Sequence, residues 1–264
     1  MDILQLNNKQ YKNFNGKKFV IGFSHYSKPI LCYCVKKSEY PKIIVQASIH
    51  AREYITAYLT LELIKDFERS GNNGTVYFIP VVNPDGVKKA LTENHLYKAN
   101  GRKVDLNTNF DARWGTGKNN ALYPASENYI GKAPFSENES KALRDFTLKI
   151  KPDFTISYHA KGQEIYYEFF QEKDRLERDF CWAQKIAKTT GYKIVSTPYS
   201  AGGYKDWCIE SLKIPAITIE VGDDRLTHPI KKQQLKPIYN ENKSVLNISI
   251  EHFLENKCKT NLWT

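Results

Sequence analysis

The fold of this chain is decided by residues 43–53, which read IIVQASIHARE. The apolar, mostly β-branched start of this stretch is typical of a buried strand, and the apolar spacing from Glu53 to about Ser70 predicts a helix. His50 is therefore expected where a strand stops, and Glu53 on the first turn of the helix that follows. Three positions apart across such a turn, an imidazole and a carboxylate can converge on one metal ion.

The rest of the chain alternates β-rich runs with helical periodicity, which predicts an α/β fold. The residues around the first turn, 24–29, separate two β-rich runs that are expected to pair as an antiparallel hairpin. The predicted elements outside 43–70 are strands at 19–23, 30–35, 75–82, 154–159 and 216–221, and helices at 136–150, 174–190 and 238–256.

Local signals suggest how some of these elements begin and end. The sequence NPDG at 83–86 predicts a turn, because proline fixes one backbone dihedral and glycine permits the next. Ser136 with Glu139 three residues later predicts a capping box at a helix start. Residues 91–132 are irregular and rich in Asn and Gly, and so long an irregular segment usually carries function.

Composition limits the class of protein. The 264 residues are 41% hydrophobic, which suits one α/β domain, and no 18-residue apolar run predicts a transmembrane helix. The polar start lacks the order of a signal peptide. The number of cysteines is odd, which suits a reducing compartment, so a cytoplasmic location is expected. The cysteines are Cys32, Cys34, Cys181, Cys208 and Cys258.

The net charge of +10 would allow a polyanionic partner, such as an acidic cell-wall polymer. The lysines are spread along the chain, and no RNA-binding signature or basic arm is present. The interpretation therefore excludes nucleic acid and membrane partners and leaves the oligomeric state open.

Three residues with metal or acid–base chemistry lie at predicted strand ends. His159 ends the strand at 154–159 as His50 ends its own, and Glu220 ends the apolar strand before Gly222. Ligand sites of open α/β sheets gather outside the carboxyl ends of strands. The three side chains therefore indicate one site.

A set of ordered motifs makes the chain resemble the zinc carboxypeptidases of the carboxypeptidase A type. The likeness covers roughly residues 15–255. It implies one zinc peptidase domain over 1–264, with a mixed, mostly parallel twisted sheet that is flanked by helices and includes the hairpin region 15–36. The motifs are HARE at 50–53, DLNTNF at 105–110, SYH at 157–159, YSAGG at 199–203 with DW at 206–207, and TIE at 218–220.

The resemblance implies that His50, Glu53 and His159 hold one Zn²⁺ and leave a fourth position for water. It implies that Glu220 is the general base that takes the proton of this water. Asp105 matches the acid that hydrogen-bonds a zinc-bound histidine, taken here as His50.

The resemblance also assigns residues to the substrate. Arg52 matches an arginine that touches substrate, and Tyr199 matches a mobile tyrosine that closes over the chain end. The family's oxyanion arginine falls near residues 97–102, where Lys98 is slightly favoured over Arg102.

One departure concerns the substrate's terminal carboxylate. In the common pattern an Asn-Arg pair grips that carboxylate, but this chain has Asn107 followed by Thr108, which cannot supply the charge. Lys205 matches the base of the family's specificity pocket, where it would favour a side chain that bears a carboxylate.

The wording of four segments resembles the bacterial γ-D-glutamyl-diaminopimelate peptidase branch, which cuts murein peptides. The segments are 97–100, 110–114, 220–224 and 228–230. Three functions are weighed. The first is a zinc metallopeptidase of muropeptides. The second is a metallocarboxypeptidase of ordinary or acidic peptides. The third is a non-catalytic zinc or peptidoglycan-binding module, which is disfavoured because Glu220 stands where a base is needed.

Overall fold

An eight-stranded sheet forms the centre of the structure, a computed structural model that describes residues 1–196 and 200–260, with side chains described to residue 256. The strand order is β1-β2-β4-β3-β5-β8-β6-β7. The strands are β1 (Lys17–Phe23), β2 (Pro29–Lys36), β3 (Lys42–Ala47), β4 (Thr75–Ile79), β5 (Phe154–His159), β6 (Glu164–Tyr166), β7 (Lys193–Ile194) and β8 (Ala216–Glu220).

Helices follow or flank these strands, which confirms the predicted α/β class. They are α1 (Ile3–Asn13), α2 (Ile55–Arg69), α3 (Pro84–Thr92), α4 (Asn138–Ile150), α5 (Lys173–Thr190), α6 (Tyr204–Glu210), α7 (Leu235–Asn242) and α8 (Val245–Thr260). None of the helices in the described part of the chain combines the length and apolar character needed to span a bilayer.

The middle of the sheet is parallel and its flanks are mixed. Strands β4, β3, β5 and β8 run parallel, whereas β1 pairs with β2 and β6 pairs with β8 in antiparallel fashion. Side chains alternate between two apolar cores. Ile43 and Val45 enter the larger core, whereas Ile44 enters the smaller one. Burial on both faces explains why β3 reads as a continuous apolar run.

The parallel register aligns the strand ends that carry chemistry. Ala47 of β3 lies opposite Tyr158 of β5, and His159 lies opposite Glu220 of β8. His50 follows β3 by three residues and leads into a 3₁₀ turn at Ala51–Glu53. Glu53 therefore belongs to that separate turn and not to the first turn of α2, which begins at Ile55.

The predicted turn at 83–86 is wrong, because these residues begin α3. Asn83 caps the helix by accepting a hydrogen bond from Gly86 N, and Pro84 occupies its first turn. Proline's fixed dihedral and missing N–H suit the first helical position as well as they suit a turn.

The predicted capping box at Ser136 is also wrong. The helix cap is Glu137, and no side-chain cap hydrogen bond is present there. The Ser136 hydroxyl donates to the Glu137 carboxylate, and Glu139 accepts from Asn100, so tertiary partners occupy both groups. The single helix predicted over 238–256 is two helices, α7 and α8.

Candidate metal centre and its cavity

Three buried side chains converge at the carboxyl edge of the sheet. His50 Nδ1 lies 2.9 Å from Glu53 Oε1 and 3.1 Å from His159 Nδ1, and His159 Nδ1 lies 3.1 Å from Glu53 Oε2. Each of the three is at most 7% exposed. Within the described residues, these are the His, Cys, Asp or Glu side chains that form a group able to hold a metal ion.

This triangle fits a zinc ion. Tetrahedral zinc with bonds of about 2.0–2.1 Å separates its ligand atoms by about 3.3 Å, close to the separations among these three atoms. The two imidazoles present the same ring nitrogen, Nδ1, to the centre of the triangle. The donor set of two imidazoles and one carboxylate is also typical of catalytic zinc.

The charge of Glu53 is strongly favoured in this cluster. Burial by itself raises the pKa of this carboxyl, but the charge of His50 and hydrogen bonds from His159 and His50 hold the pKa well below its usual range. Glu53 is therefore ionised at neutral pH and available as a metal ligand.

Asp105 links a ligand histidine to a lysine. One of its oxygens lies 3.2 Å from His50 Nε2, and the other lies 2.8 Å from Lys98 Nζ. Asp105 is fully buried, which raises its pKa, but Lys98 and His50 outweigh that effect and hold the pKa well below the ordinary value. A carboxylate on the outer nitrogen fixes the tautomer that leaves Nδ1 free for a metal.

Glu220 stands beside the cluster through its register with His159. Burial raises the pKa of Glu220 to about 8; the charge of His159 opposes this rise, and the carboxylate of Glu53 adds to it. Its carboxyl group is therefore within electrostatic reach of two of the three candidate ligands. A buried carboxyl with a perturbed pKa next to a metal-ligand cluster is a candidate acid–base group.

A cavity of about 400 Å³ opens beside His50. Lys98, Asp105, Asn107 and Thr108 line it, so one wall comes from the irregular segment that sequence reasoning singled out for function. The remaining lining residues are Gly117, Asn119, Asn120, Asn128, Ser196, Ser200 and Ala201.

The structure separates the two cations considered for the oxyanion. Lys98 lines the cavity, where its Nζ also lies 3.5 Å from Asn128 Oδ1. Arg102 does not line it and instead points its guanidinium toward Glu137, 3.8 Å away. The geometry therefore favours Lys98.

Two further predicted substrate residues lie elsewhere or outside the description. Arg52 donates hydrogen bonds to Leu96 O and to Glu127, and it is not among the residues that line the cavity. Tyr199, predicted to close over the substrate, lies outside the described residues.

Lys205 is buried and its charge is balanced by the protein. Its Nζ lies 2.6 Å from Asp206 Oδ1 and donates to Glu168 O at 2.9 Å. It is also not among the residues that line the cavity beside His50. This geometry does not support the interpretation of Lys205 as a group that binds a substrate carboxylate.

We expect Lys205→Met to destabilise the fold. The change leaves Asp206, which is 1% exposed, without its ion-pair partner, and breaking a buried pair costs about 3–5 kcal/mol. Urea unfolding would measure the loss, and the double variant Lys205→Met/Asp206→Asn should recover most of it. A Lys205→Met protein of wild-type stability that loses only its cleavage of acidic substrates would support the original interpretation instead.

A buried polar network holds the segment that carries Lys98 and Asp105. Asn100 accepts hydrogen bonds from the backbone N–H groups of Arg102 and Val104 and donates to the carboxylates of Glu137 and Glu139. Sequence reasoning missed this network, because its partners lie 37 and 39 residues apart and share no motif.

Glu139 should make stability depend on pH. Burial raises its pKa to about 7. A folded-state pKa above the unfolded value means that its contribution is fully present below about pH 4.5 and is lost as the pH rises through 7. We expect wild type to lose about 2–3 kcal/mol more than Glu139→Gln between pH 5 and pH 8 in urea unfolding. Equal losses in the two proteins would contradict this prediction.

Sequence reasoning also gave no role to His228. Its Nδ1 is buried without a hydrogen-bond partner in the described chain. Burial lowers its pKa, and the charge of Glu53 partly opposes that shift. His228 therefore lies within electrostatic reach of the metal cluster. Its one sequence signal is the His-Pro pair near the end of the motif region.

Comparison with known proteins agrees with this geometry. The sequence model described as zinc carboxypeptidase matches residues 2–245. A γ-D-glutamyl-L-diamino acid endopeptidase 1 of Lysinibacillus sphaericus is 28% identical over 236 residues, which are 76% of this chain and 59% of that protein. The chain therefore spans less than two thirds of that relative's length.

Animal carboxypeptidases are also similar. Carboxypeptidase A2 of Rattus norvegicus is 30% identical over 204 residues, which cover 64% of this chain and 48% of that protein. The structure of bovine thrombin-activatable fibrinolysis inhibitor, in complex with tick carboxypeptidase inhibitor, superposes with a TM-score of 0.85 at 23% identity. That superposition covers 97% of this chain and 98% of the other, and it shows that the two share a fold.

Proposed function

The chain belongs to the zinc carboxypeptidase family, and we propose that it is a zinc-dependent peptidase of murein peptides, cutting between γ-D-glutamate and a diamino acid. The observation that carries the proposal is the convergence of His50, Glu53 and His159 within 3.1 Å of one another, with Glu220 in register beside them. Zinc bound to these ligands would polarise a carbonyl and bring the pKa of a water near neutrality.

Each neighbouring side chain has a task that follows from its position. Glu220 accepts a proton from the attacking water and returns it to the leaving amine. Lys98 places a positive charge on the cavity wall, where negative charge develops on the carbonyl oxygen. Asp105 holds both Lys98 and the His50 ring, so that neither needs to reorganise during the reaction.

Two observations favour a murein substrate. The relative from Lysinibacillus sphaericus is named for cleavage between γ-D-glutamate and an L-diamino acid. The chain also lacks an arginine after Asn107, where the common carboxypeptidase pattern has one. The second candidate function, release of C-terminal residues from ordinary peptides, is supported by the likeness to carboxypeptidase A2.

Product analysis with metal analysis tests the proposal. The zinc-loaded protein should convert L-Ala-γ-D-Glu-diaminopimelate to L-Ala-D-Glu and free diaminopimelate, with one zinc per chain. Inertness toward this peptide, combined with trimming of ordinary peptides, would replace the proposal by the carboxypeptidase function. A protein that binds zinc and cuts neither would be left with the binding-module interpretation.

A further inference from the structure

The cavity beside His50 presents no unbalanced positive charge. Among the described residues that line it, Lys98 is the one Lys or Arg, and its Nζ is 2.8 Å from the buried carboxylate of Asp105. Residues 197–199, between the lining Ser196 and Ser200, read TPY and contain no cation. A free carboxylate in this cavity would therefore meet no charge that is not already paired.

The cavity wall instead presents neutral amides. Four of its lining residues are asparagines, at 107, 119, 120 and 128. Asn120 Nδ2 is buried and has no hydrogen-bond partner in the described chain. Asn107 accepts a hydrogen bond from Tyr204 N through its Oδ1, which leaves its Nδ2 available to a ligand.

Neutral amide donors suit the carbonyl oxygen of another amide. A buried donor without a partner costs free energy until a ligand supplies an acceptor, which favours ligands that supply one. A carboxylate would gain the same hydrogen bonds but would lose its hydration without an opposing charge. Arginine, with its planar fork, is the residue that commonly offsets that loss.

We propose that the substrate segment held in this cavity, on the C-terminal side of the scissile bond, carries an uncharged amide and not a free carboxylate. The amide is either a bond to a further residue or a terminal carboxamide. This inference deepens the proposed function, on which it rests, by naming the chemical state of the diamino acid that leaves.

Lys118 is the rival source of charge. It is exposed and lies in sequence between the lining residues Gly117 and Asn119, although it does not line the cavity itself. Its contribution is tested directly by including Lys118→Ala among the variants.

The experiment compares three forms of L-Ala-γ-D-Glu-L-Lys that differ at the lysine carboxyl: the free acid, the carboxamide and the form extended by D-alanine. Their binding to zinc-loaded Glu220→Gln is measured by calorimetry, and their cleavage by the zinc-loaded wild type is measured as kcat/KM. Thr108→Arg restores a cation at the wall, and Thr108→Gln is its uncharged control. Both are made in each background.

We expect the carboxamide and extended forms to bind at least about tenfold more tightly than the free acid. Thr108→Arg should shift that ratio at least about tenfold toward the acid, and Thr108→Gln should leave it unchanged. Preference for both neutral forms indicates an internal amide, whereas preference for the carboxamide alone indicates an amidated end.

Three results would overturn the inference: equal or tighter binding of the acid, binding of none of the three forms, or a loss of acid binding with Lys118→Ala. Cleavage failure is separate. If the wild type cuts none of the forms while the binding order holds, the proposed function falls and the preference of the cavity for an amide stands.

Discussion

Replacing Glu220 by Gln should lower kcat by about 100- to 10,000-fold while one zinc ion per chain is retained. Glu220 is not one of the three converging ligands, so its change removes a proton acceptor and leaves the metal set intact. Its pKa, which burial raises to about 8, shows that the protein gains nothing in stability from its charge when no metal is bound. The metal-free variant should therefore unfold at the same temperature as metal-free wild type, or at a higher one.

Kinetics, metal analysis and thermal unfolding together check this prediction. Glu251→Gln, at an exposed position on α8, is the matched control and should leave kcat, zinc content and Tm unchanged. A Glu220→Gln protein that keeps more than a tenth of wild-type kcat would remove Glu220 from the chemistry. Loss of zinc in the same variant would instead make Glu220 a ligand.

The metal cluster was within reach of sequence reasoning for a physical reason. A strand that is buried on both faces is recognisable from its own residues, and parallel strands end at a shared edge of the sheet. His50, His159 and Glu220 each stand at or just past such an end. Their meeting therefore depends on the order of the strands and on little else.

The cavity wall was not predictable in the same way. Its asparagines belong to an irregular segment without periodicity, and which of them face the cavity is fixed by long-range contacts. One such contact is the hydrogen bond from Asn128 N to Asp105, 23 residues away. The choice between Lys98 and Arg102 likewise depended on where Asp105 lies, and the pairing of Lys205 with Asp206 required knowledge of side-chain direction.

Removing zinc should abolish activity and lower the unfolding temperature without unfolding the protein. The three ligands belong to a built site: Glu53 is hydrogen-bonded to both histidines and to Ala160 N, so the cluster holds together when no metal is bound. A ligand that binds only the folded state stabilises it by about 4 kcal/mol when its free concentration is 1,000 times its Kd. For a domain of this size, that corresponds to a change in Tm of about 10 °C.

Thermal unfolding during titration with zinc, after treatment with a chelator, would measure this effect. Wild type should gain stability with added zinc, whereas His159→Ala should gain little, because it removes one of three ligands. His95→Ala is the matched control, since His95 is exposed and lies outside the cluster. If zinc raised the Tm of His159→Ala as much as that of wild type, the ion would bind elsewhere, and the convergence of His50, Glu53 and His159 would need another explanation.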